Sequence, residues 1–219
     1  MAIRRLMILL VFITAPAVSM AQLSGNVGYV SDYIYRGIYQ EDSSASAGLD
    51  YEHESGMYVG TWAADVGDGL EYDLYFGTGG DLADTGFSWS AGFTGYYYTN
   101  DWDNTYQEIN LGLGYGAFSL DVALGDYDAS PASQDYSFTS LGYDFGNGIY
   151  ASVGAHGGDV ADGEVLEVGY GFDFMGLDLS VALIAVGGDL AGSQDASAGN
   201  LAGLNMFFSV NRSISIGGE

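Results

Sequence analysis

The chain has 219 residues, of which 35 are glycine, 18 are tyrosine and 29 are acidic, while its only bases are four arginines and cysteine is absent. This acidity excludes the basic surface with which proteins hold nucleic acid, and the lack of cysteine excludes disulfide scaffolds and thiolate chemistry. Abundant glycine and aromatic residues with few charges favour strands over helices.

Residues 1–21 are predicted to be a cleavable signal peptide. Arg4 and Arg5 precede nine apolar residues. The small residues Ser19 and Ala21 occupy the two positions that a signal peptidase recognises before its cleavage site. Nine residues span roughly 14 Å as a helix, about half a bilayer core, so an N-terminal anchor is the weaker alternative. Cleavage before Gln22 leaves one domain, 22–219.

After residue 22, apolar residues recur at every second position. Over 118–125, for example, Phe, Leu, Val and Leu alternate with Ser, Asp, Ala and Gly. One-faced alternation over about ten residues predicts an all-β fold, a transmembrane antiparallel up-and-down β-barrel of about twelve strands. Ten strands and a soluble β-sandwich are the alternatives. The predicted strands are 25–39, 44–54, 57–65, 70–78, 86–99, 105–115, 117–126, 135–145, 149–157, 164–174, 176–187 and 200–213.

The connectors between these segments mostly alternate between short and long. Tight connectors such as 146–148 follow even segments, and longer ones such as 40–43, 100–104 and 188–199 follow odd segments. Bacterial barrels have short periplasmic turns and long outer loops, so both termini are expected in the periplasm.

Twelve acids lie in the predicted strands, and all of them except Glu54 are candidates to line a pore together with Arg36. In the clear strands each acid lies opposite the aliphatic face, as expected because a charge facing lipid at mid-depth is costly. This surplus predicts water in the lumen and a preference for cations; a general adaptation to salty surroundings is the alternative. Only the first strand is ambiguous. The candidates are Asp32, Arg36, Asp50, Glu52, Glu71, Asp73, Glu108, Asp121, Asp144, Glu167, Asp173 and Asp178.

Arg36 is the first of only two bases beyond residue 21. Its expected partners are acids on neighbouring strands, because Asp32 lies about 13 Å away along the same face. Its role is either structural, neutralising part of an acidic cluster, or functional, narrowing the pore or holding a substrate carboxylate.

Two stretches of the N-terminal third resemble a known family. Residues 31–40 read SDYIYRGIYQ, and residues 48–62 read GLDYEHESGMYVGTW. These are similar to the SDYxFRGxSQ opening and the GLDYxHxSGFYxGTW hairpin of the TorF porin family, a group of Gcw_chp-type outer-membrane barrels. The resemblance is strong over about 31–110 and implies an outer-membrane barrel that passes small solutes. Tyr39 departs from the family's usual Ser, and the chain ends on Glu219 rather than on an aromatic residue.

The sequence gives little support to other chemistry. A hydrolase at the barrel rim would need His156 with Asp159 or Asp162, and no nucleophile motif accompanies them. Similar glycine- and aspartate-rich segments occur at 79–84, 157–162 and 187–192. Their oxygen ligands make calcium binding by the loops an alternative. Aromatic residues are expected in interfacial girdles, Trp62, Trp89 and Trp102 among them, and Tyr96 and Tyr98 could instead stack on sugars.

The sequence therefore predicts a porin-like channel for passive diffusion of small hydrophilic solutes through an acidic lumen. It predicts no enzyme activity, cofactor or metal site. The expected partners are outer-membrane lipid, small solutes or cations and the barrel-assembly machinery, with no statement on oligomeric state. The alternative is a non-conducting structural or adhesive barrel whose acidic loops bind cations.

Overall fold

The chain folds as a closed barrel in which each strand is antiparallel to its neighbours. The computed structural model describes residues 22–192 and 203–216, so the predicted signal peptide lies outside the described residues. Within this part of the chain, no helix has the length and apolar character needed to cross a membrane. The strands are β1 (Gln22–Tyr35), β2 (Ile38–Glu52), β3 (Met57–Asp65), β4 (Leu70–Leu82), β5 (Phe87–Tyr98), β6 (Tyr106–Tyr115), β7 (Phe118–Tyr127), β8 (Gln134–Gly146), β9 (Ile149–Gly158), β10 (Gly163–Phe174), β11 (Leu177–Val186) and β12 (Leu204–Ile216).

Each strand pairs with the next along the chain, and β1 pairs with β12 to close the ring. This confirms the predicted all-β, up-and-down barrel of twelve strands and excludes ten. Connectors such as 116–117 and 147–148 lie at one end, here called the turn end, and connectors such as 99–105 and 128–133 lie at the other, here called the loop end. The connector after β4 is also short, residues 83–86, because β4 continues to Leu82.

The outer surface of the wall is an apolar belt. Side chains such as Val59, Phe76 and Ile109 point outward and are 52%, 58% and 54% exposed. An aromatic girdle follows the turn end, where Phe87 stacks on Tyr115 with ring centroids 4.5 Å apart. Lipid-facing strands show this combination of an apolar belt and aromatic rims.

Two of the tryptophans expected in the girdles lie elsewhere. The Trp62 ring is directed inward and meets Tyr33 edge-on, with centroids 5.9 Å apart. Trp102 packs with Trp62 around a buried cluster that contains Val66. Both rings therefore belong to the interior of the loop end, and alternation alone did not reveal this because inward aromatic side chains are unusual in a hydrated lumen.

Residues 31–45 leave the wall and form what we call the inward hairpin. β1 pairs with β12 only as far as Val30, and β2 pairs with β3 only from Ser46 onward. Between these points β1 and β2 pair only with each other. The predicted loop at 40–43 is therefore wrong, since these residues belong to β2 and the turn lies at positions 36 and 37. Both turn residues have positive φ, 51° at Arg36 and 82° at Gly37, as a two-residue hairpin turn of this kind requires.

Several inward tyrosine rings lie flat against the wall over a glycine of the adjacent strand. Tyr75 covers Gly60 on β3, and its hydroxyl reaches Asp50 on β2 beyond it. Tyr136 covers Gly125 on β7 and reaches Glu108 on β6 in the same way, at 3.0 Å. Because these rings follow the wall, they take little space from the lumen while they satisfy its carboxylates.

This arrangement predicts which glycines a methyl group would disrupt. The ring of Tyr150 crosses Gly169 to donate to Glu167 at 2.6 Å, so a Cβ at position 169 would collide with the ring. We expect Gly169→Ala to lower the free energy of unfolding by about 1–3 kcal/mol in urea titrations in lipid vesicles. The matched control is Gly171→Ala on the same face of β10, where the nearest atom would be 3.7 Å away. Equal stability of the two variants would contradict this packing.

Candidate functional site

The inward hairpin crosses the lumen at the loop end, and its contacts define the candidate site. On one side it meets β4 and β5. The hydroxyl of Tyr33 donates to Glu71 at 2.6 Å, and that of Tyr35 lies 2.7 Å from the hydroxyl of Tyr96. Tyr33 and Tyr35 alternate with Ile34 along the hairpin, so one face of the hairpin is directed toward these strands.

Arg36 lies at the tip of the inward hairpin and forms a bidentate ion pair with Glu108 on β6. Its two terminal nitrogens lie 2.8 and 2.9 Å from the two carboxylate oxygens, and the Glu108 side chain is fully buried. Glu108 also accepts from Tyr96 at 2.7 Å, Asn110 at 2.6 Å and Tyr136 at 3.0 Å. A buried charge pair is stable only when its remaining lone pairs are satisfied, and these donors meet that condition.

The other side of the hairpin tip packs on β7 to β12. His156 on β9 hydrogen-bonds through Nε2 to the backbone oxygen of Arg36 at 2.7 Å. Ile34 and Ile38 pack against a buried apolar cluster that includes Phe138. A Cβ at Gly37 would lie within 2.6 Å of Val165, so the tip reaches the opposite wall with no room for a side chain there. The other members of the cluster are Ala123, Val165, Ala182, Ile184, Leu190 and Phe207.

These contacts fill the loop-end half of the lumen and leave the turn-end half lined by small polar residues. Inward positions at the level of the hairpin are buried, and the cavity beside Arg36 has a volume of only about 50 Å³. Toward the turn end many inward positions are glycine or serine, such as Ser90, Gly112 and Ser119, and these three are partly exposed. The space for the water expected throughout the lumen therefore lies in the turn-end half.

The predicted pore residues divide into four groups. Arg36, Glu71 and Glu108 are held in contacts with or around the inward hairpin, which also carries Asp32. Asp50, Glu167 and Asp144 point inward and are bound by wall residues, Asp144 by the backbone N–H of Gly146 at 2.7 Å. The third group lies near the turn-end mouth and consists of Glu52, Asp173 and Asp178. Asp173 on β10 stands directly opposite Asp178 on the adjacent strand β11. Asp73 and Asp121 form the last group, described next.

Two inward carboxylates each have a buried oxygen that accepts no hydrogen bond from the described residues. They are Asp73 on β4, through Oδ1, and Asp121 on β7, through Oδ2. Asp73 is only 6% exposed. Burying a polar group without a partner is costly, so these two oxygens differ from the other lumen carboxylates in needing an occupant.

The partner of Arg36 is an acid, as predicted, but Glu108 does not lie on a neighbouring strand. The prediction placed Arg36 in the wall, whereas the inward hairpin carries it across the lumen to β6. The sequence reasoning also missed Tyr33, Tyr35 and His156 as hairpin contacts. A signal was present in 31–38, where Ile34 and Ile38 alternate in phase with the charged Arg36. Neither face of a segment inside the lumen meets lipid, so the two kinds of residue can share a face.

The alternative chemistries find little geometric support. His156 bonds to the backbone of Arg36 rather than to Asp159 or Asp162, and its ring packs on Phe138 with centroids 4.7 Å apart. Among the described residues, no three His, Asp or Glu side chains are grouped to hold a metal ion. The hydroxyl of Tyr96 is committed to Glu108, so this hydroxyl is not available to bind a sugar.

Comparisons with known proteins agree with the fold. The profile of a family described as "Bacterial protein of unknown function (Gcw_chp)" matches residues 14–171. None of the curated proteins matches the sequence. The narrower TorF assignment stays a prediction.

Among solved structures, the KdgM porin matches with a TM-score of 0.56 and 8% identity, over 89% of this chain and 99% of that chain. The same protein in complex with disordered oligogalacturonate matches equally. Acinetobacter baumannii OccAB3 matches with a TM-score of 0.47 and 13% identity, over 89% of this chain and 65% of that chain. The KdgM likeness shows that the barrel has an outer-membrane porin fold.

Proposed function

The chain belongs to the Gcw_chp family, and on that premise we propose that it is an outer-membrane channel for small hydrophilic solutes, in which the inward hairpin sets the constriction. The observation that carries this proposal is the turn-end lumen, a partly exposed polar space enclosed by a closed barrel with an apolar belt. Such a wall is suited to lipid, and such a lumen is suited to water. Signal-peptide export, insertion by the barrel-assembly machinery and a periplasmic turn end are parts of the same proposal.

The lumen charge supports a preference for cations. Arg36 is neutralised by Glu108, so the acids of the turn-end mouth face no described base inside the barrel. A narrow polar passage between low-dielectric walls concentrates ions of the opposite sign. Cations and neutral molecules would thus enter more readily than anions.

The filled loop-end half supports a second candidate, a barrel that does not conduct. The contacts of the inward hairpin on both sides of the lumen leave the cavity of about 50 Å³ as the space beside Arg36. In this alternative the barrel would serve as a structural or adhesive surface protein with acidic loops. Single-channel recordings of the refolded mature chain in a planar bilayer separate the two, since steady current is expected only from the channel.

A salt gradient across that bilayer tests the preference for cations. We expect a reversal potential that favours cations, and a clearly smaller preference in the triple variant Glu52→Gln, Asp173→Asn and Asp178→Asn, because these side chains line the turn-end mouth. The matched control neutralises three exposed loop-end acids, Asp68, Asp101 and Asp128. An unchanged reversal potential in the mouth variant, with steady current, would contradict the electrostatic part of the proposal.

A further inference from the structure

The surroundings of Asp73 lie between the inward hairpin and the turn-end lumen, and they combine a carboxylate with aromatic rings. On β4, Asp73 stands directly opposite Trp62 on β3 and Tyr96 on β5. Side chains directly opposite in an antiparallel sheet have Cβ atoms about 4.5–5.5 Å apart. Asp73 is therefore flanked on both sides by an aromatic side chain.

The potential hydroxyl donors around Asp73 are already engaged elsewhere. Tyr33 donates to Glu71, Tyr75 to Asp50 and Tyr96 to Glu108. Arg36 uses both terminal nitrogens on Glu108. Asp73 Oδ1 is thus left, among the described residues, as a buried acceptor without a donor.

From this combination we infer that Asp73 is the binding point for a small organic ammonium ion in the lumen. The carboxylate supplies the counter-charge, and the rings of Trp62 and Tyr96 supply the cation–π surface that an alkylated ammonium prefers over a strongly hydrated metal ion. The ion would approach from the turn-end lumen, where the next inward positions on the adjoining strands include Thr94 and Gly92, which are partly exposed. This inference rests on the proposed function and names a solute class for it.

Asp121 provides a matched control within the same lumen. It is also an inward aspartate with one buried oxygen that accepts no described hydrogen bond. Its directly opposite neighbours are Gly112 and Ser140, which carry no ring. Neutralising Asp121 changes the lumen charge by the same amount as neutralising Asp73 and leaves the aromatic pair intact.

The experiment is calorimetric titration of the folded mature chain with tetramethylammonium chloride, in octyl glucoside because this detergent carries no ammonium group. Sodium chloride holds the ionic strength constant. We expect saturable binding that Asp73→Asn weakens at least about tenfold and Asp121→Asn changes less than about twofold. Trp62→Leu, which keeps the carboxylate, is expected to weaken binding about threefold.

Absence of saturable binding to the unsubstituted chain would overturn the inference, as would equal weakening by Asp73→Asn and Asp121→Asn, which would indicate a general effect of lumen charge. Heat-modifiable migration in gels establishes that each variant is folded. Because the titration needs no current, it is independent of the recordings above. Binding without conductance would support the Asp73 site and contradict the proposed channel. Conductance without binding would support the channel and contradict the Asp73 site.

Discussion

Removing the inward hairpin is expected to raise the single-channel conductance on the order of tenfold, because it occupies the loop-end half of a lumen that twelve strands otherwise hold open. The excision joins Val30 to Ser44 through Asn-Gly. Val30 and Ser44 face each other in the β1–β2 register. Asn-Gly forms the two-residue turn that a hairpin with this register favours. The rest of the wall keeps its pairing, since the removed residues pair only with each other.

The matched control shortens another connector at the same end. Tyr127 and Gln134 also face each other, so residues 128–133 can be replaced by Asn-Gly in the same way. We expect this variant to conduct like the complete chain, because the connector is not part of the hairpin contacts described above. An excised hairpin that leaves the conductance unchanged, in protein shown to be folded by heat-modifiable migration, would contradict the constriction.

Glu108→Gln is expected to release the inward hairpin and to make the chain sensitive to trypsin at Arg36. Loss of the charge leaves the guanidinium buried without its counter-ion, which costs about 3–5 kcal/mol. The chain has no lysine, and Arg36 and Arg212 are its only bases after residue 21, so trypsin has few places to cut. Arg212 lies within β12, where its backbone is paired with β1.

Cleavage after Arg36 therefore reports directly on the hairpin. In the unsubstituted chain the side chain of Arg36 is only 15% exposed, and we expect slow cleavage. In Glu108→Gln we expect cleavage about a hundredfold faster or more, giving a fragment that begins at Gly37. The double variant with Arg36→Gln should resist trypsin, which verifies the site. The control Asp50→Asn removes an inward carboxylate that binds Asn26 and Tyr75 away from the hairpin, and it should leave the rate unchanged. A folded Glu108→Gln chain as resistant as the original would contradict the role of this ion pair.

The barrel could be predicted from the sequence because its wall has one strong periodic constraint. A strand between lipid and lumen must alternate, and segments such as 118–125 do so, which fixed the strand number and most boundaries within a few residues. The inward direction of Glu71 and Glu108 followed from the same alternation, since both lie opposite aliphatic neighbours.

The inward hairpin could not be predicted in this way, because residues 31–45 face protein on both sides and obey no lipid constraint. Ile34 and Ile38 share the positions of alternation of the charged Arg36, which marks the segment as unusual without indicating where it goes. The pairing of Arg36 with Glu108 joins residues 72 positions apart across the lumen, and only the tertiary fold brings them together. The tyrosine rings that lie flat against the wall could not be predicted from the sequence either, because each ring position depends on a glycine in an adjacent strand.

The pairing register between β1 and β12 determines the depth at which the inward hairpin begins. Its register runs from Leu23 opposite Ile216 to Val30 opposite Ser209, and the chain bends inward directly after Val30. A slip of two residues would preserve which side chains face lipid, yet it would move the bend by about 7 Å along the strand. That displacement far exceeds the 2.8 Å separation of Arg36 and Glu108. The hydrogen-bond register at which the barrel closes therefore also sets the depth at which its lumen is obstructed.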